Sequence, residues 1–125
     1  MMIYQKDRKA PVRLFDDFSE LTGLTPGTSF HFQVCRDEYF VVQLLLCECS
    51  GPYTAVPHGL DGRVTIYNMQ GVNKFGRLFS KPYETQAGRI NPLYIGVDFS
   101  GLAPGSYAVT ICLEGAERTE VSLAF

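Results

Sequence analysis

The chain has 125 residues, 46% of them hydrophobic and 19% charged, and a formal charge of −2. That length suits one domain with its own core. The near-neutral balance excludes a general electrostatic pull toward nucleic acid or an anionic membrane. The longest apolar run, Val41 to Leu46 interrupted by Gln43, is strand-sized and too short for a membrane span.

Residues 1–11 are polar and charged and end in Pro11, which predicts a flexible N-terminal tail and leaves 12–125 as a single domain. The opening "MMIYQKDRKAPVR" lacks the apolar core of a secretory signal. Val12 to Phe15 reads as a short edge strand, and Asp16 to Thr28 as a loop with a helical turn at Phe18–Leu21. In "SFHFQVC", Phe30, Phe32 and Val34 alternate with His31 and Gln33, the period of a half-buried strand. "EYFVVQLLLCEC" follows through Arg36–Glu38, as a hairpin or around a corner. It is apolar on both faces, so something must cover its outer side.

A Gly/Pro-rich connection comes next, with a short strand at Tyr53–Val56, then a strand at Arg63–Tyr67 with Val64 and Ile66 inward. Asn68 to Arg89 has little periodicity beyond short strands at Leu78–Phe79 and Tyr83–Thr85. Two alternating runs follow: Leu93, Ile95, Val97, Phe99, and then Tyr107, Val109, Ile111, Leu113. Leu102, Pro104, Gly105 and Tyr107 join them as L-x-P-G-x-Y. Pro104 presets φ for a turn and Gly105 is expected to take the positive φ of type II. The Tyr107 hydroxyl is expected to bond back to that turn, as in a tyrosine corner. A last strand carries Val121, Leu123 and Phe125 inward. Seven to nine short strands without helical periodicity predict an all-β, antiparallel immunoglobulin-like β-sandwich.

The residues offer little catalytic chemistry. Asp37 and Glu38 are adjacent, so on a strand their carboxylates diverge, whereas glycoside hydrolysis needs two facing one bond; a solvated turn is expected. His31 is a single outward residue without a partner nucleophile. Cys47 and Cys49 share a strand face and do not bridge, and C-x-C with only His58 downstream is weak support for zinc. Cys35, Cys47, Cys49 and Cys112 are therefore expected to be buried free thiols. No cofactor, metal or catalytic residue is predicted. The segment 68–89 carries Lys74, Arg77, Lys81 and Arg89 against Glu84, a local +3, together with Phe75 and Tyr83 and next to Tyr67. Long irregular segments often bind. Tyr67, Asn73, Lys74, Phe75, Arg77 and Tyr83 are the candidate ligand or partner contacts. Tyr39, Val41 and Leu45, on the outer face of the doubly apolar strand, are the candidate docking face.

"RDEYFVVQLLL" resembles an R-x-E-Y-x-x-x-Q strand. "GVNKFGRLFSKPYETQAGRINPLYIGVDFSGLAPGSYAVTICLEG" resembles a G-V-x-x-x-G-x-x-F-x-K segment that leads through P-L-(W/Y)-I-G-V into a P-G-x-Y hairpin. Gly71, Gly76, Phe79, Lys81, Gly88, Pro92, Leu93, Ile95 and Gly96 carry the match, within Arg36 to Gly115. These features are similar to the N-terminal β-sandwich domain of large bacterial glycoside hydrolases of the β-N-acetylgalactosaminidase type, family 123. The resemblance implies catalytic acids in a following barrel, none of them in this chain, and an extracytoplasmic setting. The function it implies is a non-catalytic accessory domain that packs on, or presents substrate to, a catalytic module. The partners expected are that module or a glycan, with weak self-association through the docking face or a free strand edge. The alternatives are an autonomous carbohydrate-binding module and a structural, adhesin-type domain.

Overall fold

The computed structural model describes residues 1–7, 9, 10, 12–67 and 83–125, with Tyr83 described through its backbone alone. Among these, the strands are β1 (Met2–Lys6), β2 (Ser29–His31), β3 (Tyr39–Cys47), β4 (Gly51–His58), β5 (Val64–Tyr67), β6 (Tyr83–Thr85), β7 (Asn91–Asp98), β8 (Ala108–Glu114) and β9 (Arg118–Ala124). One 3-10 turn spans Phe18–Leu21, with the Asp17 carboxylate accepting from the Ser19 N–H as its N-cap. The strands form two sheets, ordered β1-β3-β7-β5 and β2-β9-β8-β4-β6. This is the all-β sandwich that the alternation predicts. All pairs are antiparallel except β2 with β9, which is parallel.

The core lies where the two inner faces meet. Val42, Leu44 and Leu46 of β3 and Leu93, Ile95 and Val97 of β7 supply one side; Val109, Ile111 and Leu113 of β8 and Val121 and Leu123 of β9 supply the other. All are 2% exposed or less. Burying each such side chain stabilises the fold by roughly 1.5–3 kcal/mol. Period-two spacing puts these residues on one face of each strand, so the local pattern and the tertiary burial agree.

Several local expectations change. Residues 1–11 do not form a loose tail throughout: Met2–Lys6 pairs along β3 from Cys47 to Gln43, because Ile3 of β1 can enter the core beside Leu46. Val12–Phe15 is not a strand. Val12, Phe15, Leu21 and Leu24 instead pack as a strap with Leu45, Cys47 and Ile90, a second apolar cluster on the outer face of the first sheet. The strap is fixed by the Ile90 N–H donating to the Phe15 carbonyl (2.6 Å) and by the Arg89 guanidinium over the Phe15 ring. Lys6 and Glu20, both largely shielded, add an ion pair at 3.1 Å.

The chain between β2 and β3 turns a corner from one sheet to the other and is no hairpin. The same is true of β7 and β8, so the L-x-P-G-x-Y stretch spans the two sheets. Gly105 does not have positive φ; Gly101 does, at 76°. Glu48 also sits in the left-handed region, at φ 55°. β3 ends at Cys47, so Cys49 does not share its face: Cys47 joins the strap cluster and Cys49 packs toward the main core.

Candidate binding cleft and outer face

The inter-sheet corner is built by short polar bonds. Asp37, at φ 58°, accepts the Gly101 N–H on its carboxylate at 2.8 Å. The Glu38 carboxylate accepts the Cys35 N–H at 2.9 Å, and its carbonyl accepts the Phe99 N–H at 3.0 Å. Both acids are thus tied to backbone donors of the corner. Arg63 donates to the carbonyls of Asp98 and Ser100 (3.1 and 2.6 Å). Ser100 donates through Oγ and its N–H to the Asp98 carboxylate, and the hydroxyl bond first, then the backbone bond, hold that carboxyl below its ordinary value. Tyr107 donates its hydroxyl to the Ala103 carbonyl, as the tyrosine-corner expectation requires.

Between this corner and the Phe32–Asp37 segment lies a cleft of about 540 Å³. Its floor is aromatic. Phe32 stacks on Phe125 (centroids 5.5 Å apart, planes 24°), and Phe99 meets both Phe125 (5.2 Å) and Tyr107 (6.3 Å). Gln33, Arg36 and Ser106 stand on its exposed rim. Sequence reasoning missed this site. Its signal was the alternation of Phe32 and Val34 with Gln33, which continues past the end of β2 toward the Tyr107 corner.

The docking face is only partly open. Leu45 is 0% exposed beneath the strap and offers nothing to a partner, because the chain covers its own apolar sheet face first. Tyr39 is 49% exposed and Val41 half-buried. The Tyr39 ring lies over Gly96, where any side chain would meet its hydroxyl.

Of the candidate ligand contacts, Asn73, Lys74, Phe75 and Arg77 lie outside the described residues, as does the side chain of Tyr83. Tyr67 is half-buried on the outer face and stacks on Tyr94 of β7, with centroids 5.4 Å apart. Cross-strand register aligns Tyr67, Tyr94, Gln43 and Lys6 in one row over four strands. Gln43 is 1% exposed; its amide nitrogen reaches the Lys6 and Asp7 carbonyls at 3.4 and 3.5 Å, and its Oε1 has no partner among the described residues.

His31 is exposed on β2. All four cysteines are free. Cys35 is exposed, against the expectation of burial, because it lies on the outward phase of the Phe32–Val34 alternation. Burial first, then the neighbouring Cys49 and Glu48, pushes the Cys47 thiol up to about 11. Among the described residues no cluster of His, Cys, Asp or Glu has metal-binding geometry, and no helix is long and apolar enough to cross a membrane.

Two facing sheets and an end cleft under a tyrosine corner define the class: a two-sheet β-sandwich domain. Neither any family model nor any curated protein matches the chain. A solved structure of a family 123 glycoside hydrolase from Clostridium perfringens, studied for its hydrolysis of glycolipid glycans, has the same fold, with a TM-score of 0.66 at 13% identity. The likeness covers 100% of this chain and 27% of that one, so the chain spans about a quarter of the hydrolase's length.

Proposed function

We propose that this sandwich is a non-catalytic accessory domain of a glycoside-hydrolase-like protein, packing on a catalytic module or presenting glycan to it. The observation that carries the reading is the coverage of the fold likeness: the whole of this chain against 27% of a glycoside hydrolase. The Asp37 and Glu38 carboxylates each accept a backbone N–H of the corner, which supports a structural role for both. The test is the native gene product, identified by mass spectrometry and assayed on chromogenic glycosides. We expect a polypeptide that continues into a catalytic module, and no turnover by this chain alone. A product that ends with this domain, or hydrolysis by the isolated chain, overturns the reading.

A second reading, an autonomous carbohydrate-binding module, is favoured by the Tyr67–Tyr94 pair on the outer face. Calorimetric screening that is silent across glycans sinks it. We also propose, from the family resemblance, an extracytoplasmic setting, which cell fractionation checks. Weak self-association would use Tyr39 and Val41, the open part of the docking face.

A further inference from the structure

We infer that the cleft beneath the tyrosine corner is a subsite for one uncharged pyranose residue of a glycan. The inference rests on the glycan-presenting part of the proposed function and gives it a place. The cleft's volume of about 540 Å³ lies within the roughly 300–1,000 Å³ of small-molecule sites. Phe32, Tyr107 and Phe125, each half-buried, line it over the buried Phe99, and their partly exposed aromatic surface suits the C–H face of a sugar ring. Its rim offers what hydroxyls need: the Gln33 amide donates and accepts, the Ser106 hydroxyl does both, and Arg36 donates.

Charge argues for a neutral ligand. The Arg36 side chain is 80% exposed at the mouth, and its Nε lies 3.8 Å from the Asp37 carboxylate, so these two charges of the lining offset each other. An anionic or cationic ligand would gain from one and lose to the other. An aromatic floor with a neutral, mixed donor and acceptor rim recognises an amphipathic, uncharged molecule rich in hydroxyls. A wholly apolar ligand would strand the rim groups without partners.

The test is an amide NMR titration of the whole chain with methyl glycosides of glucose, galactose, mannose, N-acetylglucosamine and N-acetylgalactosamine at millimolar concentrations. The expected result is saturable shifts confined to residues 33–37 and 102–107 with at least one glycoside. Arg36→Ala and Gln33→Ala should each raise the Kd by up to about tenfold, the equivalent of one lost hydrogen bond of about 1.4 kcal/mol. Alkylating Cys35, which lines the cleft, with a bulky pyrenyl maleimide should abolish the shifts while the thermal melt stays unchanged. Shifts that are absent with every glycoside, that map to Tyr67 and Tyr94, or that survive the Cys35 block overturn the inference. So does a response to a short aromatic peptide alone. Failure here leaves the accessory reading standing, because that is read from the gene product and its catalytic module.

Discussion

The Tyr107 hydroxyl reaches back four residues to the Ala103 carbonyl, and the Tyr107 backbone exchanges two hydrogen bonds with Phe125 (3.0 and 2.9 Å). One residue therefore closes the corner and anchors the end of β9. Tyr107→Phe should cost about 1 kcal/mol and Tyr107→Ala about 3 kcal/mol in denaturant melts. Overlaid melts for Tyr107→Ala and the parent would remove the corner from the stability account.

The two turn glycines should separate cleanly. Gly101 has φ 76°, so Gly101→Ala should destabilise by about 1–2 kcal/mol. Gly105 lacks positive φ, and an added Cβ meets nothing within 4 Å. Gly105→Ala should therefore change stability by less than about 0.5 kcal/mol. The reverse order in thermal melts would show that the turn is of another type.

The outer face of β3 should behave as two regions. Leu45→Ala opens a cavity under the strap and should cost about 2–5 kcal/mol, as in a core. Tyr39→Ala, on the open part, should stay within about 1 kcal/mol and weaken any self-association measured by sedimentation. A silent Leu45→Ala would mean that the strap does not stay seated.

Thiol chemistry gives a readout of burial. Cys35, exposed, should react with Ellman's reagent within the native protein, while Cys47 and Cys112 should wait for unfolding. The Cys47 thiol titrates higher folded, at about 11, than its ordinary 9.0, so the folded state holds its proton more tightly. Its contribution to stability is complete below pH 9 and is lost as pH rises toward 11. Cys47→Ala should lessen the alkaline fall in melting temperature over that window; an unchanged slope would count against the assignment.

Much of the fold was legible because strand burial is written locally. Val42, Leu44 and Leu46, or Val109, Ile111 and Leu113, declare a face by spacing alone, and the Tyr107 corner by residue type. The site was less legible. Leu45 reads as a docking residue in the sequence because its apolar character is visible and its cover is not. The cover comes from Val12, Phe15, Leu21 and Leu24, residues more than twenty positions away with no periodicity of their own. Gln33 and Ser106 are ordinary polar residues until the corner brings them to one rim.

The sequence by itself determined that the chain is a β-sandwich and which faces of β3, β7, β8 and β9 fill its core. Each of these depends on spacings of one to four residues and on side-chain type. Only the tertiary structure decided that Met2–Lys6 adds a strand and that β2 runs parallel to β9. It also decided that Gly101 rather than Gly105 takes positive φ, and that a cleft opens between residues 32–37 and 102–107. These depend on pairings between segments far apart in the chain. Their free energy comes from burial and backbone bonding that no local window contains.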